Sequence, residues 1–130
     1  MKLLLDTCVL YPTVMREMLL GASKIADWTP MWSEQILEEW ARAARKVGPT
    51  GEIQARAEIA LLRATWPTSE ISDVPSLDTR IWLPDLNDRH VLAAAIAGFA
   101  DLLITLNTRD FPRATLFEEG LDRLDPDTLL

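Results

Sequence analysis

The chain is poor in the residues on which disulfide-built and zinc-built folds rest. It has one cysteine, Cys8, and one histidine, His90. A lone cysteine closes no internal disulfide, which fits a reducing compartment, and one Cys with one His falls short of a zinc site. No uninterrupted apolar run reaches the roughly eighteen residues of a membrane span. The N-terminal run MKLLLDTCVL is broken by Asp6 after three leucines, with no clean small-residue cleavage site behind it. It reads as the first strand of a cytoplasmic protein rather than as a signal peptide. Positive charge is short too: 13 Lys and Arg stand against 20 Asp and Glu, for a net charge of -7. That balance argues against affinity for nucleic acid through a basic surface. It leaves room for an enzyme that meets phosphate through bound metal ions, whose carboxylate ligands count as negative only while the site is unloaded.

What is present is one domain's worth of chain. At 130 residues, 48% of them hydrophobic and 25% charged, the composition is that of an ordinary globular protein with one moderate core. Lys2 to Leu5 predicts a short buried strand. Behind Pro12, the residues Val14, Met15, Met18, Leu19, Ala22 and Ile25 recur at intervals of three and four, predicting an amphipathic helix that closes between Ser23 and Asp27. Trp28, Thr29 and Pro30 read as a connection. Ser33 is an N-cap for a helix whose apolar side is Ile36, Leu37, Trp40 and Ala44, stopped by Gly48 and Pro49. Thr50 reads as the cap of a further helix, about Glu52 to Trp66, with Ile53, Ala57, Ala60 and Leu61 on its apolar face. Residues 68–77 hold a short strand or a loop.

Asp85 to Ala100 predicts a helix that is almost wholly alanine and aliphatic past its first turn, hence buried. The run from Leu102 to Leu106 resembles an interior parallel strand ending at Asn107. Apolar strands alternating with helices give an α/β fold around a parallel sheet.

Ligands of such sheets gather at the carboxyl ends of the strands. Asp6 ends the first strand, and Asn107 with Asp110 follows the last. Asp85 and Asp88 stand three apart at the head of the buried helix, and Glu39 lies beside Trp40 in the helix before it. Carboxylates crowded at an apolar edge repel one another unless they take up protons or share a hard cation. Mg2+ or Mn2+ suits such oxygen donors and acidifies a bound water, the chemistry of a phosphodiesterase or nuclease. An acid in a first helical turn is also favoured by the helix dipole alone, which is the plainer explanation of Asp85 and Asp88. His90 reads as a structural helix residue and Cys8 as a small core side chain. Of the five tryptophans, most are expected to fill the core. Arg16, Arg42, Arg45, Lys46, Arg89 and Arg109 are the basic residues available to phosphate.

LLLDTCVL, WSEQILEEW and LPDLNDRHVLAAAIAGFADLLITLNTRDFP, in that order, carry a resemblance. The chain resembles PIN-domain proteins of the kind found as toxins in bacterial VapBC toxin–antitoxin pairs. The resemblance implies a three-layer α/β/α sandwich with a central parallel sheet, filling residues 1–130 as a single domain. It also implies an endoribonuclease dependent on Mg2+ or Mn2+ that leaves a 5'-phosphate, an antitoxin partner and a homodimer. Carried over, the catalytic and metal-holding acids are Asp6, Glu39 (with Glu38 as its rival neighbour) and Asp88. The fourth family aspartate falls on Asn107, which brings an oxygen but no charge, with Asp110 as its substitute one turn on. Asp85 is expected behind these ligands, and Thr7 or Asn107 as the holder of a water. Similar proteins often run on into further helices beyond the stretch at which this chain ends in Leu129 and Leu130, so a shortened C-terminus or an oligomer covering those leucines is expected. The main alternative function is a PIN fold that has lost catalysis and serves as a binding module. A phosphatase with Asp6 as nucleophile is disfavoured, because Cys8 stands where its second aspartate belongs.

Overall fold

A computed structural model describes all 130 residues. Five parallel strands form one sheet in the order β3-β2-β1-β4-β5, from β1 (Lys2–Leu5), β2 (Thr29–Ser33), β3 (Glu70–Ile71), β4 (Leu102–Ile104) and β5 (Asp122–Leu124). β1 is central because its three leucines can be buried on both faces, and Leu3, Leu4 and Leu5 are each 0% exposed. It pairs on one side with β2, Leu4 opposite Met31, and on the other with β4, Leu5 opposite Ile104. Flanking helices complete a three-layer α/β/α sandwich. They are α1 (Thr7–Leu10), α2 (Thr13–Ala26), α3 (Glu34–Ala43), α4 (Gly51–Thr65), α5 (Arg89–Ala97), α6 (Arg113–Glu118) and α7 (Pro126–Leu129).

The strand order reverses direction between β1 and β4. From β1 the chain builds outward to β2 and β3, then returns to lay β4 and β5 on the other side. Such a switch point leaves a crevice at the carboxyl ends of the two central strands, because the connections leaving them diverge. Asp6 follows the end of β1, and its N–H donates to the carbonyl of Ile104 at the end of β4 (3.1 Å).

Several expectations need correction. Thr29 and Pro30 are not a connection: they begin β2, paired to Lys2 and Leu3. α2 does not bury Val14, Met18 and Ile25, which are 70%, 54% and 90% exposed; it buries Arg16, Leu19 and Ser23. α4 likewise buries Ala55, Ile59 and Leu62 and leaves Ile53 and Leu61 outside. Thr50 precedes α4 without a capping side-chain bond. The helix expected from Asp85 begins as a 3-10 turn over Leu86–Asp88 and becomes α-helical only at Arg89. At the far end Leu129 packs against the core and Leu130 is 47% exposed. No helix is long and apolar enough to cross a membrane.

Candidate active site

Asp6 is held more firmly than any other acid of the crevice. It caps α1: Oδ1 accepts from the Thr7 N–H (2.7 Å) and Oδ2 from the Thr105 hydroxyl (2.9 Å). Thr105 is itself fixed, since its oxygen accepts from the Asn107 N–H (3.0 Å). Only 7% of Asp6 is exposed. Burial raises its pKa above the ordinary carboxylate value; the bonds from Thr105 and Thr7 oppose that rise and the charge of Glu39 adds to it.

Glu39 is delivered by α3, whose start is fixed by the Ser33 hydroxyl accepting from the Ile36 N–H (3.2 Å). Ile36, Leu37, Trp40 and Ala41 hold the helix in the core. The two neighbouring glutamates then part company. Glu38 turns to Arg56, which grips it through two nitrogens (3.0 and 2.8 Å), and to Arg42; these bonds pull its carboxyl down to about 2. Glu39 faces the crevice, and its one side-chain partner is the His90 imidazole. Asp88 arrives at the junction of the 3-10 turn and α5. Burial first, and then the charges of Asp6, Asp85, Asp110 and Glu39, push its carboxyl up to about 6.

Asp6, Glu39, Asp88 and Asn107 line one cavity of about 460 Å³, together with Cys8 and Lys46. Asp110, in the following 3-10 turn, is not part of this lining, although its charge acts on Asp88. Asp85 caps its own turn by accepting from the Asn87 N–H (2.9 Å). Thr7 borders the cavity, but its hydroxyl donates to the Ile36 carbonyl (2.9 Å) and so ties α1 to α3. No three of the acidic, histidine or cysteine side chains stand close enough together to enclose an ion directly. The donor chemistry nonetheless fits a hard cation held largely through water: Asp6, Glu39, Asp88 and Asn107 all offer oxygen, and burial first and then neighbouring acids raise the pKa of Asp6 and of Asp88.

Most of the expected phosphate contacts are engaged elsewhere. Arg89 binds the carbonyls of Ile81 (2.5 Å), Leu77 (3.1 Å) and Asp78 (2.7 Å), so it folds the preceding loop onto α5. Arg16 is buried under Trp40, and Arg42 and Arg45 pair with Glu38 and Glu52. Lys46 remains at the cavity wall and Arg109 in the solvent. Cys8 is not a simple core thiol: its Sγ lies 3.5 Å from the Thr105 hydroxyl and accepts from the Leu106 N–H (3.3 Å). Burial and then the charge of Asp6 raise its pKa, which keeps it protonated. Thr105 escaped the sequence reading. Its one signal was a hydroxyl inside the apolar run LLITL.

The PIN-domain family model matches residues 2–109, most of the chain and all of this crevice. The chain belongs to the PIN-domain family. Among solved structures, this PIN domain is similar to the crystal structure of VapBC2 from Rickettsia felis bound to a DNA fragment from their promoter. The TM-score is 0.60 at 19% identity, over 96% of this chain and 98% of that one. At that identity the likeness establishes the fold alone. No curated protein sequence matches the chain.

Proposed function

We propose that this PIN domain is a Mg2+- or Mn2+-dependent endoribonuclease and the toxin of a toxin–antitoxin pair. The observation that carries the reading is the meeting of Asp6, Glu39 and Asp88, from three separate segments, in one cavity. Asp6, Glu39 and Asp88 would hold the ion, with Asn107, or Asp110 in its place, acting through a water. When bound, such an ion supplies an acidified water and offsets the charge that builds on a scissile phosphate. The chain's own residues do the rest. Thr7 and Thr105 fix the Asp6 carboxylate before any ligand arrives, so little reorganisation is needed. Lys46, at the wall, meets the RNA backbone. The likeness in fold to VapBC2 is in keeping with an antitoxin partner, and the homodimer rests on the family resemblance alone. A partner presenting a basic side chain to the acid crevice suits a net charge of -7.

Asn107 favours one other reading, a PIN fold that binds but no longer cleaves, because it removes one charge from the donor set. The deciding experiment is cleavage of a mixed pool of structured RNAs by the antitoxin-free protein, in Mg2+, in Mn2+ and in chelator, beside Asp6→Asn and Asp88→Asn. Cleavage that needs the ion and disappears in both variants is expected. A folded protein that neither cleaves nor binds Mn2+ would move the assignment to the binding module.

A further inference from the structure

Glu39 differs from Asp6 in how it is held. Asp6 is fixed by a backbone N–H and a hydroxyl, whereas Glu39 has a side chain 44% exposed, and no N–H, hydroxyl or arginine reaches it. A glutamate so exposed keeps its rotamer freedom unless something restrains it. The one group against its Oε1 is Nε2 of His90, on the first turn of α5 and two residues from Asp88. The imidazole is only 14% exposed, and neither ring nitrogen makes a hydrogen bond, Nε2 standing against Glu39 Oε1 by proximity alone. Burying a donor and an acceptor without partners costs on the order of 1–3 kcal/mol per group. Filling space is therefore a poor reason for histidine here, since an apolar side chain would do so at lower cost.

The placement of the ring adds a second argument. His90 lines a larger cavity of about 950 Å³ that Glu39 does not border, while Glu39 lines the cavity that holds Asp6 and Asp88. The contact between the imidazole and Glu39 thus joins a residue of one cavity to a residue of the other.

We propose that His90 is a positioning residue. Its Nε2–H donates to Glu39 Oε1, restrains the carboxylate, and leaves Oε2 free for the cavity that Glu39 lines with Asp6 and Asp88. The proposal rests on the metal reading given above for what that carboxylate does, but the contact itself does not. Partners of this kind, one step behind a ligand, change metal affinity by roughly 10- to 100-fold when removed.

His90 is the sole histidine, so its ring gives one unambiguous set of imidazole signals. In chelator, long-range 1H–15N spectra should show the tautomer protonated at Nε2, and Glu39→Ala should shift that signal. A ring protonated at Nδ1, or one indifferent to Glu39→Ala, overturns the contact. The second arm measures Mn2+ affinity. His90→Met, which fills the space without a donor, should weaken Kd by about 10-fold or more, while His90→Gln, which restores an N–H, should stay within about threefold of wild type. Thermal melts of both variants establish that they remain folded. Wild-type Mn2+ affinity in His90→Met overturns the positioning role. A wild-type chain that ignores millimolar Mn2+ removes the metal reading instead, and the imidazole signal then decides the contact alone.

Discussion

At the scale of single residues the crevice is a place where the fold works against itself. The carboxyl of Asp88 is pushed from an ordinary 3.8 up to about 6 by burial and by four acidic neighbours. A carboxyl whose folded pKa lies above its unfolded one keeps its proton longer in the native state. Its ionisation therefore disfavours the fold, with no effect below about pH 4 and a growing cost as pH rises from about 4 to about 6. A shift of that size would correspond to about 3 kcal/mol for a group shut off from water. Asp88 is half in solvent, so about 1 kcal/mol is the better figure. In chelator, Asp88→Asn should raise the melting temperature at pH 7.5 by about 3–5 °C and leave it nearly unchanged at pH 4.5. A variant that melts lower than wild type at pH 7.5 would show that Asp88 is satisfied by contacts not evident in its surroundings. The stabilised variant is also the one expected to lose cleavage, as when a site stores unfavourable charge for its ligand.

At the scale of elements, α2 explains both what could be read in advance and what could not. Its ends were legible from Pro12 and the approach to Asp27, which takes the left-handed conformation that closes the helix (φ 59°). Its face was not. Val14, Met18 and Ile25 make as regular a stripe as the true core side, which includes Arg16 and Ser23. Those two are buried because they are satisfied: Ser23 donates to the Leu19 carbonyl (2.7 Å), and Arg16 donates to the carbonyls of Leu10 (2.6 Å) and Tyr11 (3.2 Å) while stacking on Trp40. Hydropathy carries no trace of such partners. β2 was missed for a related reason, since Pro30 argues against a strand and the segment becomes one by pairing with β1. Charges beside apolar runs drew attention to several acids, but it was the family resemblance that singled out Asp6, Glu39 and Asp88, whereas Thr105 and the contact at His90 depend on the packing of distant segments. Arg16, one of the basic residues available to phosphate by sequence, instead pins the end of α1 and stacks on Trp40. Arg16→Lys keeps the charge but loses the planar fork and the stacking, so the urea midpoint should fall by an amount equivalent to about 2 kcal/mol. An unchanged midpoint with weakened RNA affinity would return Arg16 to the phosphate backbone.

At the scale of the whole molecule, the proposed function raises the question of how a protein with a net charge of -7 would meet a polyanion. Its cations are largely spent internally: Arg16, Arg42, Arg45, Arg56, Arg63, Arg80 and Arg113 are in ion pairs, and Arg89 and Arg123 bind backbone carbonyls. That leaves Lys46 at the crevice and Arg109, exposed two residues beyond Asn107, as two cations for the backbone of the proposed RNA substrate. Single-stranded RNA releases about 0.7 counterion for each phosphate neutralised, so a plot of log KM against log salt should have a slope of only about 1 to 2. A basic nucleic-acid binder with many phosphate contacts gives several times that. The check is KM for one RNA at fixed Mg2+, measured from about 50 to about 300 mM KCl, with Lys46→Met expected to flatten the slope by roughly one further counterion. A steep slope that survives Lys46→Met would mean that RNA lies along a surface far from the acids. The shallow slope is what an acidic fold requires if its affinity for phosphate comes through an ion in the crevice rather than through its own side chains.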